Sequence, residues 1–191
     1  LALMNAYGAT ETTSPTTLMP PEDTAARRES VGLAVPGAEI RIVDDEIWIG
    51  GPMVVKGYWD NPEATAREFT GGFWHSGDVG AVDAEGYVRV HDRKKDMINR
   101  GGYKVYSAEV EGALAEHPAV VESAVIGVPC PVLGERVRAI VTIREAVDAE
   151  ALRAFCAIRL ADYKVPETIT TRSEPLPRNA NGKVLKRELR Q

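Results

Sequence analysis

The sequence predicts an α+β protein in two parts, with a boundary within Asp92–Asp96. Three observations carry this. Over residues 31–93, short apolar runs sit between Gly and Pro breaks, the pattern of a small barrel or sandwich. After Asp96 the character changes, and β-branched runs alternate with segments of helical period, which describes a mixed unit. The 191 residues are 44% hydrophobic and 27% charged, proportions that can bury a real core.

The elements follow in order. Residues 1–21 hold Tyr7-Gly8-Ala9-Thr10-Glu11 and then a Thr/Ser/Pro-rich run, and read as a strand end passing into a loop. Ile40 and Ile42 alternate with Glu39 and Arg41, as in a half-buried strand. Residues 46–49 form another strand, stopped by Gly50-Gly51-Pro52. Asp83-Ala84-Glu85-Gly86 is turn chemistry between residues 80–82 and 87–91, so a hairpin is expected. Ser107 is placed to cap a helix that runs to Glu116, with Pro118 as the stop. Residues 120–128 and 138–143 are β-branched runs and read as strands. Asp148 is placed to cap a second helix, whose apolar face is Leu152, Phe155, Cys156 and Leu160. Residues 169–171 form a short strand, and residues 184–190 a last helix.

Composition excludes several classes. The balance of 23 Lys+Arg against 28 Asp+Glu disfavours a broad nucleic-acid surface. No apolar run is long enough to span a bilayer. Cys130 and Cys156 cannot build a disulfide framework, and His75, His91 and His117 lie far from both, which argues against zinc. Cys130 reads as a reduced, partly exposed thiol. No signal peptide opens the chain, and the compartment implied is the cytoplasm. Leu1 in place of Met predicts that the sequence is a piece of something longer.

Four segments combine Gly, polar and charged residues in ways a core does not need. They are Tyr7–Glu11, Ser76-Gly77-Asp78, the stretch 92–104 with Gly101-Gly102, and the stretch 177–183 ending in Gly182-Lys183. Singly, each has an ordinary reading as a turn, a solvated basic face or an exposed loop. A phosphate loop of the Walker type fails for the last one. Pro177 stands where the first Gly belongs, and Val184 stands where Ser or Thr belongs. No Gly-x-Gly-x-x-Gly is present.

Taken in order, these segments resemble the motifs of the adenylate-forming superfamily: acyl-CoA synthetases, firefly-luciferase-like enzymes and peptide-synthetase adenylation domains. Tyr7-Gly8-Ala9-Thr10-Glu11 resembles the family's Tyr-Gly-x-Thr-Glu, and the stretch Gly51-Pro52 to Gly57-Tyr58-Trp59 its Gly-Pro…Gly-Tyr segment. His75-Ser76-Gly77-Asp78 resembles the Thr/Ser-Gly-Asp motif. Asp92-Arg93-Lys94-Lys95-Asp96-Met97-Ile98 with Gly101-Gly102 resembles the hinge motif, and residues 177–183 with Arg187 the C-terminal lysine motif. The resemblance runs along essentially the whole chain and is nearest to fatty-acid or aromatic acyl-CoA ligases.

The resemblance implies the end of a large adenylating domain with a small distorted β-barrel (residues 1–92), then a small mobile α+β lid domain (residues 93–191). It implies a carboxylic acid, ATP and CoA as substrates, with Mg²⁺ as a ligand. Lys183 would neutralise charge where the acid meets the α-phosphate, as a compact ammonium on a long stem can. Glu11 would be the magnesium ligand and Thr10 a donor to phosphate. Tyr7 would offer its face to adenine, and Asp78 and Arg93 would hold the ribose. Lys95 would be the hinge. Gly101 and Gly102 would line the pantetheine passage, with Lys104 and Arg100 toward the phosphates of CoA.

Two departures follow from the same resemblance. The family's upstream phosphate loop, ending in Lys-Gly, is not in this sequence, so the chain alone is expected not to turn over and needs the N-terminal portion of the enzyme. The step from Asp44-Asp45 into Glu46 is short for the family. Two other readings stay open at this point. One is an acyl-AMP ligase that loads a carrier protein, and the other is a non-catalytic module.

Overall fold

The computed structural model describes residues 3–190 and divides into two compact units, Leu1–Lys94 and Lys95–Gln191. The architecture is α+β.

In the first unit, β1 (Ala6–Gly8), β2 (Pro15–Leu18) and β3 (Leu33–Ala34) form an antiparallel sheet. The Thr/Ser/Pro-rich run is therefore partly strand rather than loop. Thr16 and Thr17 are buried, and the Thr17 hydroxyl donates to the Val31 carbonyl at 2.6 Å. A β-branched hydroxyl residue suits a strand once its polar atom has a partner.

A second sheet follows. The strands β4 (Glu39–Val43) and β5 (Glu46–Gly50) are joined by Asp44 and Asp45, both at positive φ. The connection that reads short for the family is thus a closed two-residue hairpin turn. Next come α1 (Pro62–Glu68), β6 (Phe69–Thr70), β7 (Phe73–Val82) and β8 (Val88–Arg93). The order is β4-β5-β7-β6, with β8 on β7. Helix α1 is an element beyond those expected from the sequence. Asn61 accepts the Ala64 N–H as its cap, and Pro62 fits the first turn. The β7–β8 hairpin forms as expected. The Asp83 side chain accepts the N–H groups of Glu85 and Tyr87, and Gly86 takes φ +90. Ile47, Ile49, Trp74 and Val88 make the core, with Ile40 and Tyr7 packed on it.

The second unit contains β9 (Ile98–Arg100), β10 (Tyr103–Val105), α2 (Ser107–Ala115), β11 (Val120–Cys130), β12 (Gly134–Ile143), α3 (Ala149–Ala157) and β13 (Thr168–Arg172). The order is β10-β9-β12-β11, with β13 parallel to β12. Alternate residues of β11 and β12 enter two separate cores. Val125, Val137, Ala139 and Val141 face Val110, Leu114, Leu152 and Cys156 of the helices. Ala124, Ile126 and Ile140 lie in a second cluster with Leu176, against which Val184 and Leu189 pack. A sheet covered on both faces explains why these strands read as continuous apolar runs.

Three local expectations need correction. Ser107 is the first residue of α2 rather than its cap; Tyr106 holds that place, and the Ser107 hydroxyl accepts from the Lys186 ammonium at 2.7 Å. The last helix is a short 3-10 segment, Lys186–Arg190. Cys130 is buried, not partly exposed. Its Sγ accepts the Leu133 N–H at 3.5 Å and the Arg136 Nε–H at 3.2 Å, and these donors hold its pKa below the usual thiol value. Asp148 does cap α3, accepting the Glu150 N–H.

Candidate active site

The first unit gathers residues distant in sequence around Asp78. This carboxylate sits in β7 after Gly77, which takes φ +69. It is buried, and both of its oxygens are engaged. The Tyr7 hydroxyl donates to Oδ2 at 2.6 Å, and Arg93 Nη1 donates to Oδ1 at 2.8 Å. The same guanidinium nitrogen reaches the Ser76 carbonyl at 3.1 Å, and the Asp78 N–H donates to the Ser76 hydroxyl at 3.0 Å. A carboxylate has about four acceptor sites, so roughly two remain for outside donors. Burial, and then the bond to Asp78, push the Tyr7 phenol well above its ordinary pKa, which keeps it a donor. The Tyr7 ring packs on the core, so it bears on this site through Asp78.

Glu11 lies in a one-turn 3-10 helix, Thr10–Thr12, directly after β1. Buried Thr12 closes that turn, its N–H donating to the Ala9 carbonyl while its hydroxyl accepts the Ala9 N–H. Thr10 is exposed. The Tyr58 hydroxyl donates to Glu11 Oε1 at 3.0 Å, and the Val55 N–H holds the Glu11 carbonyl at 2.9 Å. The carboxylate is half-buried and keeps acceptor sites free of Tyr58. Among the described residues no group of three or more His, Cys, Asp or Glu could hold a metal. A magnesium ion that travels on nucleotide phosphates needs only one or two carboxylates, so Glu11 fits it.

The sequence assigned no role to Tyr58 or to Glu46. Glu46 is buried beneath the Ser76–Asp78 turn. Its Oε1 accepts the Gly77 N–H and its Oε2 the Lys94 ammonium, each at 2.9 Å. The Lys94 N–H returns to the Gly77 carbonyl at 2.8 Å. Burial pushes the Glu46 carboxyl up, but Lys94 and Gly77 outweigh it, and its pKa falls below the usual value. An acidic residue after a turn looks like any solvated carboxylate in sequence, so only this enclosure marks it.

In the second unit, Lys95 is the first residue, and its carbonyl accepts from Arg190 at 3.3 Å. Gly101 and Gly102 form the two-residue turn between β9 and β10, at φ +61 and +88. Positive φ alone accounts for both glycines, and the space over Gly102 is open. Lys104 is exposed, and Arg100 is ion-paired with Glu167 at 2.8 Å. Lys183 is exposed, and its ammonium forms no ion pair among the described residues. The backbone beneath it is fixed. Asn179 Oδ1 accepts the Lys183 N–H at 2.9 Å, and Asn179 donates its own N–H to the Lys183 carbonyl at 3.0 Å. No helix among the described residues is long and apolar enough to cross a membrane.

Comparisons with known proteins match this arrangement. Residues 1–59 match the family model described as AMP-binding enzyme, and residues 109–183 the one described as AMP-binding enzyme C-terminal domain. A 3-[(3aS,4S,7aS)-7a-methyl-1,5-dioxo-octahydro-1H-inden-4-yl]propanoyl:CoA ligase of Rhodococcus jostii is 45% identical over 194 residues, covering 100% of this chain and 38% of its own length. A long-chain-fatty-acid–CoA ligase of Escherichia coli is 40% identical over 200 residues, covering 98% and 35%. The o-succinylbenzoate CoA synthetase of Bacillus subtilis, solved with its acyl-adenylate intermediate, superimposes with a TM-score of 0.93 at 35% identity, covering 98% of this chain and 41% of that one. The same synthetase has been solved with ATP and a magnesium ion. The chain thus spans between 35% and 41% of the length of these relatives.

Proposed function

The chain belongs to the adenylate-forming superfamily, and from that premise we propose that it forms the C-terminal portion of an ATP-dependent, AMP-forming acyl-CoA synthetase. In the first half-reaction a carboxylate of the acid attacks the α-phosphorus of ATP. Pyrophosphate leaves, and acyl-AMP remains. In the second, the thiolate of CoA attacks the acyl carbon and AMP leaves. The acid is a fatty or aromatic carboxylic acid.

The observation that carries the reading is Asp78. It is a buried carboxylate held by Tyr7 and Arg93 that still has room for two more donors, as vicinal ribose hydroxyls require. Asp78 and Arg93 bind and orient the nucleotide. Glu11, fixed by Tyr58, would hold a magnesium ion, which when bound would supply charge shielding at the phosphates. Thr10 donates to phosphate. Lys183 places its charge where negative charge develops between the acid and the α-phosphate. Gly101, Gly102 and Lys104 border the path of the CoA arm.

The test begins with the intact mass of the protein as its source makes it, expected well above 20.7 kDa. That full-length polypeptide is then given a panel of carboxylic acids with ATP and either CoA or a phosphopantetheinyl carrier protein. Acid-dependent pyrophosphate release followed by acyl-CoA formation is the expected result. Acyl transfer to the carrier alone would overturn CoA as the acceptor, and no pyrophosphate release with any acid would overturn adenylation.

Lys95 is proposed as the pivot about which the second unit turns between the half-reactions. Hinges absorb large dihedral changes at a few residues. Lys95→Pro, with φ locked near −65°, is expected to slow thioester formation more than adenylation. Rates of pyrophosphate release and of acyl-CoA release, measured separately, check this; equal losses would sink the pivot.

A further inference from the structure

We propose that Asn179, braced from outside by Arg178 and Glu122, is a positioning residue for Lys183, which it orders for adenylation. The inference rests on the role given to Lys183 above.

Lysine has a long, flexible stem, and Lys183 lies on an exposed loop outside every helix and strand. Loops of this kind are mobile by default. A misplacement of about 1 Å at a reacting centre costs on the order of 10²-fold in rate. The stretch 177–183 is built against that outcome. Asn179 Oδ1 accepts two backbone N–H groups, from Asn181 at 3.1 Å and from Lys183 at 2.9 Å. Its own N–H donates to the Lys183 carbonyl at 3.0 Å, and its carbonyl accepts the Gly182 N–H at 2.9 Å. The loop therefore closes on one side chain, and both backbone polar groups of Lys183 are held. Gly182, at φ +78, lets the chain make the turn.

A second tier ties this ring to the sheet. Arg178 Nη1 donates to the Gly182 carbonyl at 2.6 Å, while its Nη2 is bonded to the Glu122 carboxylate on β11. The other Glu122 oxygen accepts the N–H of Leu176 at 2.8 Å, and Leu176 is buried against the sheet. Beyond the loop, the Leu185 N–H donates to the Pro177 carbonyl at 2.8 Å. The loop is thus held at both ends and across its middle. Of Lys183 itself, the stem and ammonium are the parts without such a bond among the described residues.

Global stability does not explain this construction. Asn179 is exposed, and a few hydrogen bonds at an exposed loop add little to global stability. What its bonds supply is local order at one lysine.

The experiment uses Asn179→Ala in the full-length polypeptide and follows the two half-reactions separately. Adenylation is expected to fall in kcat by about 10- to 100-fold, with KM for ATP changed by no more than about 3-fold. Thioester formation from supplied acyl-AMP is expected to stay within about 2-fold of the parent, because Lys183 acts only in the first step. Asn179→Ser keeps an acceptor for the N–H two residues on and should fall between the two. It is also read by the same pair of rates should the alanine variant not fold. Adenylation at the parent rate, or equal loss in both half-reactions, would overturn the proposal. Lys183→Ala runs alongside. If that variant adenylates normally, the role of Lys183 itself fails; if it is inactive while Asn179→Ala is unaffected, only the positioning role fails.

Discussion

Replacing Lys183 with Ala is expected to lower acid-dependent pyrophosphate release by about 10²- to 10³-fold, the range seen when one preorganised charge-stabilising donor is lost. The argument is electrostatic. Attack by a carboxylate on a phosphate that is already negative concentrates charge at the α-phosphoryl oxygens, and a compact ammonium there is worth more in the transition state than in the ground state. Stability should hardly respond. The side chain is exposed and forms no ion pair among the described residues, so a change within about 0.5 kcal/mol is expected. Thermal melting by circular dichroism and single-turnover pyrophosphate release on the full-length polypeptide check the two halves together. A variant that melts normally and adenylates normally would remove Lys183 from the chemistry.

Asp78→Asn should produce the second large effect, and it falls on nucleotide binding. Hydrogen bonds to a charged group contribute roughly 1.5–3 kcal/mol each, and the substitution removes the charge that two ribose hydroxyls would share. ATP affinity is therefore expected to fall about 10- to 100-fold. The preference for ATP over 2′-deoxy-ATP should shrink with it, which a merely structural defect would not produce. The fold should tolerate the change. Arg93 and Asp78 are 2.8 Å apart, but the Arg93 side chain is 48% exposed, so the pair contributes about 1 kcal/mol or less. The Tyr7 hydroxyl can rotate to meet an amide. Calorimetric titration with both nucleotides decides the matter, and unchanged affinity for ATP would place the ribose elsewhere.

Much of the fold was legible because its signals are local. The turn at residues 83–86, the Asp148 cap and the paired glycines each act within a few residues, where dihedral preferences and short-range hydrogen bonds decide the outcome. The misreadings have physical causes too. Thr16 and Thr17 look like loop residues until β3 pairs with their strand and the Val31 carbonyl takes the Thr17 hydroxyl. Ser107 looks like a cap, but Tyr106 holds that place one residue earlier, and the Ser107 hydroxyl accepts from Lys186, 79 residues away. Helix α1 carried its cap and proline in plain view, but seven residues are too few to show a period.

By itself, the sequence determined the family, since motif residues are contiguous and their order is kept along the chain. It also determined which residue types could carry the chemistry. Only the tertiary structure decided how those residues are held. Tyr7 and Asp78 are 71 residues apart, Glu11 and Tyr58 are 47, and Glu46 and Lys94 are 48. Strand register and burial bring them together. The physical reason is one of range. Backbone preferences act over neighbouring residues, whereas the enclosure of Asp78 and Glu46 depends on which distant strands pack together.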